Sequence, residues 1–396
     1  MDILSSVILG ITALFLVSGA LFGFKRGFVR SVVRLILLGI AFIVTWVTKP
    51  TYVAAALGIE FGGKTIAETI VSSLGDAGAF ADVIMTLVES LLGIVMFILV
   101  FLALKFVTLI LFGIMKAFFP KRSRIIGFVV GALQGALIAF AICAPLNGLI
   151  CDAGRVLELE IQGKPLLSEE QMLELEEKGV DFDKYKSSTI SRIYTTVGGG
   201  FYKSIASSEL GGETVSISGT VEAAEASTKL VDALESVNGI DFSAGLTAES
   251  REELRETFKE LDDIKNGMSG DAQKTINALI STVVSESAGE GPIPEEISGA
   301  LEELDFTEVN FVSEGEILIN IMDYAENNGE GEVDANELVN SLAESTVIVP
   351  MMSGMIDSGK ATASIPEEKH AELSAAIDSL DDADKAETIR KVLGLN

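Results

Sequence analysis

An all-α fold is expected: a four-helix transmembrane domain followed by a mainly α-helical acidic exoplasmic domain. Three observations predict it. Four apolar stretches, Ile3–Phe24, Phe28–Val47, Leu91–Phe119 and Ile125–Leu149, each meet the ~20 residues needed to cross ~30 Å of hydrocarbon. Charge divides the chain: residues 1–150 hold 11 Lys/Arg against 6 Asp/Glu, a net +5, and the other 246 hold 18 against 51, a net −33. After Leu149 no uncharged run is long enough to cross again; the best, Ser345–Ile356, has 12 residues and contains Pro350.

The joins between stretches set the topology. Lys25, Arg26, Arg30 and Arg34 follow the first stretch, and Lys116, Lys121, Arg122 and Arg124 follow the third. No Asp or Glu occurs in residues 3–59 or 90–151. By the positive-inside rule both joins are cytoplasmic, so the N- and C-termini and the central loop are exoplasmic to the cytoplasmic membrane. Met1-Asp2-Ile3 lacks the basic start of a secretory signal, and its positive charges come after the apolar run, so a retained span is expected.

The first span carries Gly19, Gly23 and Gly27 at every fourth position, and the fourth repeats the device with Gly127, Gly131 and Gly135. Glycines four apart share one helix face and let another backbone approach closely, which predicts pairing of the first and fourth spans, within one chain or between copies in a homo-oligomer. Arg26, Arg30 and Arg34 fall on one slowly rotating stripe if a helix runs through Gly27. Such a stripe, with Arg122 and Arg124, anchors topology and can meet lipid phosphates. Trp46 and Tyr52 suit the opposite interface. In residues 48–90, Ile66, Ile70, Val71 and Leu74 keep a helical period, read as an amphipathic or re-entrant segment bracketed by Gly62-Gly63 and Gly75.

Lys105 interrupts the third span. An ionisable residue at this depth marks an ion path or finds a local solution. No acidic partner occurs in any span, and relays use several such groups. Snorkelling toward the cytoplasm, or a contact with carbonyls or Gln134, is therefore expected, and a transporter or channel is the weaker reading.

The run Gly-Phe-Lys-Arg-Gly-Phe-Val-Arg (23–30), then Val100-Phe101-Leu102 leading to Lys105, then Pro120 with Ser123-Arg124-Ile125-Ile126-Gly127 and the glycines beyond, resembles the colicin V production protein (CvpA) family. The likeness covers roughly residues 1–150. It implies a four-span bacterial membrane protein linked to production or export of a peptide toxin, with Gly23, Gly27, Arg124, Gly127, Gly131 and Gly135 as structural signature residues. It brings no catalytic residues. The acidic extension of 246 residues departs from the compact family pattern.

That extension reads as two helical parts, 151–288 and 289–396, divided near the Ser287–Pro294 linker rich in Gly, Pro and Glu. Ser168 with Gln171 opens a helix over Glu169–Lys178, and Ser250 with Glu253 opens another carrying Leu254, Phe258 and Leu261. Thr220 is expected to cap a helix through Leu230 and Leu234, and Asp271 one with Ile276, Leu279, Ile280 and Val283. Val215–Ser218 is at most a short strand, and Gly198-Gly199-Gly200 marks a break.

Residues 326–337 have the layout of an EF-hand calcium loop. Glu326, Asn328 and Glu330 supply oxygens at positions one, three and five, the Glu332 carbonyl at seven, Asp334 at nine and a bidentate Glu337 at twelve; Gly331 takes the sharp sixth. Glu at one and five adds a methylene where Asp or Asn is usual. The alternative is an acidic helix–turn–helix with an Asn-Gly turn. Ile317, Ile321 and Tyr324 before the loop, and Leu338 and Leu342 after it, predict flanking helices.

Other chemistry finds no foothold. The two cysteines, Cys143 and Cys151, stand about 12 Å apart along one helix, too far to bridge. The single histidine, His370, argues against a triad or a multi-histidine metal site. There is no Gly-x-Ser-x-Gly elbow, phosphate loop, dinucleotide fingerprint or His-Glu-x-x-His helix, so no enzyme is expected and calcium is the sole cofactor suggested. Net charge −33 over the extension repels nucleic acid and suits a basic protein partner or cations. The reading is a membrane scaffold with an exoplasmic interaction domain, the alternatives being a calcium-responsive envelope module or a small transporter or channel.

Overall fold

The computed structural model describes residues 2–61, 63–74, 79–116, 119, 123–158, 160–161, 164–165, 169–238, 247–287, 304–326, 334–357, 365 and 369–395. Among the described residues the architecture is all-α, with three small two-stranded sheets. It divides into two compact units, Met1–Glu209 with Thr214–Val221, and Leu210–Glu213 with Glu222–Asn396.

Among the described residues, α1 (Ile3–Arg26), α2 (Phe28–Val47), α5 (Ala79–Met115) and α6 (Arg124–Glu158) of the first unit are the four helices long and apolar enough to cross a membrane. Between the second and third lie α3 (Lys49–Leu57), a hairpin of β1 (Glu60–Phe61) and β2 (Lys64–Thr65), and α4 (Ile66–Leu74). α4 starts on a capping box: the Glu68 amide donates to Thr65 Oγ1 at 3.1 Å while the Thr65 amide donates to the Glu68 carboxylate at 2.8 Å. The hairpin of β3 (Glu160–Ile161) and β4 (Lys164–Pro165) follows α6, then α7 (Glu169–Glu177), α8 (Phe182–Ser187) and α9 (Thr189–Ile205). Many outward side chains of the four spans are apolar, among them Leu14, Val47, Phe106 and Ile125, as a lipid environment requires.

Three expectations for this unit change. The boundary expected at 150 lies inside α6, whose helix continues to Glu158, and the first compact unit extends to Val221. The reason is packing: α8 and α9 bury Tyr185, Tyr194 and Tyr202 against the end of the spans away from the basic turns. The break expected at Gly198-Gly199-Gly200 is absent, because Gly198 is a notch within α9; a Cβ there would stand 2.6 Å from the Ala144 methyl. Nor does a helix run through Gly27, whose φ of 82° turns the chain from α1 into α2. Arg26 therefore belongs to one helix and Arg30 and Arg34 to the next.

β5 (Ser207–Leu210) and β6 (Glu213–Ser216) lead into α10 (Ile217–Asn238). The strand expected over Val215–Ser218 thus ends at Ser216, whose hydroxyl accepts the Gly219 amide at 3.0 Å and caps α10 in place of Thr220. The second unit continues with α11 (Ala248–Gly267), α12 (Gly270–Ser287), α13 (Phe311–Glu326), α14 (Ala335–Glu344), α15 (Ile348–Asp357), α16 (His370–Asp378) and α17 (Ala383–Val392). Caps again fall earlier than expected. Thr247, not Ser250, caps α11 by accepting the Ser250 amide at 3.1 Å, and the Ser269 hydroxyl accepts the Ala272 amide at the head of α12, leaving Asp271 in the first turn. Ser168 lies outside the described residues.

Among the described residues three apolar clusters hold this unit. Ala226, Ala272, Ile276 and Phe306 belong to one, Tyr324, Leu338, Leu342, Leu373 and Ile389 to another, and Leu254 and Ile319 to the third. Helices on both sides of the boundary expected at 289 belong to the same compact unit. Gly315 of α13 seats the Phe258 ring of α11, where a Cβ would stand 2.6 Å from the ring. The Ser287–Pro294 linker falls outside the described residues beyond Ser287.

Candidate functional site

The two glycine triplets meet. α1 and α6 run antiparallel in backbone contact. A Cβ on Gly23 would lie 2.6 Å from the Gly131 Cα, one on Gly19 2.9 Å from the Gly135 Cα, and one on Gly127 2.9 Å from the Gly27 Cα. Side chains are excluded along the seam, which is why Gly19, Gly23, Gly127, Gly131 and Gly135 need hydrogen in place of Cβ. Both triplets are spent within a single chain, so a homo-oligomer would have to use another face.

At the basic end the turns are tied together. The Phe28 amide donates to the Ser123 carbonyl at 3.1 Å, and Arg30 Nε donates to the Phe119 carbonyl at 2.8 Å. The Arg26 guanidinium lies over the Phe22 and Phe112 rings at 5.2 and 5.7 Å. Arg34 is half-buried on α2, Arg124 opens α6 exposed, and Arg122 lies outside the described residues. Lys105 does not reach Gln134. Its ammonium lies 4.9 Å from the centroid of the Phe15 ring, while Gln134 donates to the Ser31 carbonyl. A cation over an aromatic face solves the problem of charge in a span without an acidic partner.

At the opposite end a polar clasp holds α8, α9 and the hairpin to the spans. Tyr202 and Ser218 hydroxyls donate to one oxygen of buried Asp152 at 2.6 and 2.8 Å. Tyr185 donates to Asn147 Oδ1 at 2.7 Å, and Asn147 donates to Thr195 at 3.2 Å. Burial pushes the Tyr185 phenol above its ordinary range, so it stays a donor. Lys49 threads past Gly93, where a Cβ would stand 3.0 Å from the lysine Cε, and donates to the Ser207 carbonyl. Desolvation lowers its pKa, and nearby Glu89 opposes that shift. Asp2 caps α1 by accepting the Ser5 amide at 2.9 Å, and the Ile3 amide donates to Gly179. None of this was read from the sequence. The one available signal was Asp152 at the end of a long apolar run, since an acid there needs a donor.

The calcium-loop residues are only partly visible. Asn328, Glu330, Gly331 and Glu332 lie outside the described residues, as does the side chain of Glu326. Asp334 caps α14, its Oδ1 accepting the Glu337 amide at 2.8 Å, and Glu337 is exposed in the first turn. The flanking helices are present as α13 and α14, with Ile317, Ile321, Tyr324, Leu338 and Leu342 all in one cluster.

Comparison with protein-family models, curated proteins and solved structures gives no match. Geometry and sequence therefore carry the functional reading.

Proposed function

We propose that this chain is a membrane-anchored scaffold of the colicin V production type. Its second unit offers an acidic interaction surface on the outer side of the cytoplasmic membrane. The observation that carries the reading is the α1–α6 seam. It joins the first and last spans at backbone contact, so the block acts as one rigid anchor with its basic turns at one end. A scaffold needs that rigidity, whereas a transport route needs spans that separate. Lys105, engaged by Phe15, does not favour a conducting path. On the second unit, Glu222, Glu225, Glu256, Glu260 and Asp263 outnumber Lys229 and Lys259 around a groove of about 550 Å³, an acidic balance that suits a basic partner segment.

The implied link to a peptide toxin is tested by deleting the gene in a toxin-producing strain and complementing it with wild-type or Gly131→Leu protein. Secreted toxin activity should fall on deletion and return with wild type alone. Unchanged activity after deletion removes the toxin role. The scaffold role is tested separately by crosslinking in intact membranes, where a partner released by raised salt supports an electrostatic contact.

One observation favours a second reading, a calcium-responsive loop. Asp334, at position nine, already holds the Glu337 amide and so brings the ninth and twelfth positions to one helix entrance. Position nine commonly binds through water, which leaves this cap intact. The expected affinity is only ~10⁻⁴–10⁻³ M, as in extracellular modules. Calorimetry on the full chain at millimolar calcium decides it, and absence of heat removes the reading.

A further inference from the structure

We propose that α9 lies within the membrane, in the leaflet nearest the N-terminus, with one face against lipid acyl chains. The sequence places residues 189–205 in the water-exposed extension; the contacts of α9 place them deeper. Tyr194 hydrogen-bonds Thr12 at 2.8 Å, and Thr12 lies nine residues, about 14 Å, along α1 from Ile3. The Phe201 ring packs on Phe42, Phe97 and Phe140 with centroids 5.1, 5.2 and 5.3 Å away. Phe42 stands five residues, about 8 Å, inside the end of α2 at Val47. Phe140 stands sixteen residues, about 24 Å, from Arg124 at the basic end of α6, still within a hydrocarbon layer of about 30 Å. The helix axis thus sits below the membrane surface.

The three faces of α9 fit that position. Ser191, Tyr194, Gly198, Tyr202 and Ile205 are buried against the spans. Arg192 and Lys203, eleven residues apart, share a second edge in helical register with Thr195 and Gly199, where charges can reach head groups. The third face, Thr189, Ile193, Thr196, Val197 and Gly200, bears no charge. On it Ile193 is 51% and Val197 68% exposed. That face continues the lipid-facing surface of α1: Leu9, itself exposed, lines a shared groove with Ile190 and Ile193. Asp2, Ser5, Lys184 and Ser188 at the other part of this groove suit a phospholipid head group. The occupant is therefore lipid, and the inference does not depend on which way the four spans face.

The test is depth-dependent tryptophan quenching in the full-length protein reconstituted into phosphatidylcholine vesicles. Trp46 is the sole native tryptophan and is first replaced by Phe. Val197→Trp and Ile193→Trp are then made at exposed positions, with Arg192→Trp on the charged edge for comparison. Tryptophan at 197 and 193 should lose fluorescence with chain-brominated lipid and be shielded from iodide, and Arg192→Trp should be the more sensitive to iodide. Iodide quenching at 197 and 193 without bromolipid quenching overturns the proposal. Protection from both quenchers, as a covering protein segment would give, overturns it as well. Should either variant fail to fold, the other still decides, because the two lie one turn apart on the same face.

Discussion

A single added methyl tests the seam. Gly131→Ala places its Cβ 2.7 Å from the Gly23 Cα, and backbone cannot move aside as a side chain would. Overpacking of this kind costs about 1–3 kcal/mol. Gly39 and Gly113 have open space around a Cβ, so Gly39→Ala and Gly113→Ala should be neutral or gain up to about 1 kcal/mol of helix propensity. Thermal unfolding in detergent separates the two groups. In the second unit, buried Glu314 accepts from the amides of Thr346, Val347 and Ile348 and the hydroxyl of Ser345, so a side chain from α13 caps the start of α15. Glu314→Ala should cost at least about 2 kcal/mol, read as a fall in Tm of that unit. Hydrogen bonds from Asn277 and Thr307 hold the Asp305 carboxyl below the ordinary aspartate range. A depressed folded pKa contributes stability above the unfolded-state value, about 3.9, and loses it as pH falls through the folded value. The Tm difference between wild type and Asp305→Asn should therefore be largest near neutrality and shrink in acid.

Elements were legible where a pattern repeats and obscure where one contact decides. The glycine faces could be read because spacing of four leaves one side of a helix bare, and the structure puts Gly19, Gly23 and Gly27 opposite Gly127, Gly131 and Gly135. The expected caps fall two to four residues late, because neighbours such as Thr247 and Ser250 both satisfy the same local rule and only the backbone turn chooses between them. The clasp was hidden for a different reason. Tyr202 meets Asp152 across 50 residues and Lys49 meets Ser207 across 158, and in sequence each looks like an ordinary surface group. Its strength can be measured. Tyr202→Phe leaves Asp152 with one hydroxyl donor fewer in a buried setting, a loss of about 1.5–3 kcal/mol for a bond to a charged group. The expected readout is earlier proteolysis of α9 in detergent, with the span seam intact. Unchanged proteolysis would mean the aromatic packing of Phe201 alone holds α9.

At the scale of the whole molecule, charge asymmetry and hydrophobicity act together. Residues 1–150 carry a net +5 and the remainder −33, so the protein combines a basic-edged apolar block with a strongly acidic body. Among the described residues four helices are long and apolar enough to cross a bilayer, and the proposed scaffold has all four crossing, an even number that would leave the chain before α1 and the chain after α6 on one side. By the positive-inside rule the proposed orientation puts that side outside. Protease accessibility of intact spheroplasts tests the arrangement most directly. The account predicts that added protease removes the second unit while a fragment carrying the four spans survives. Protection of the second unit until the membrane is permeabilised would contradict it.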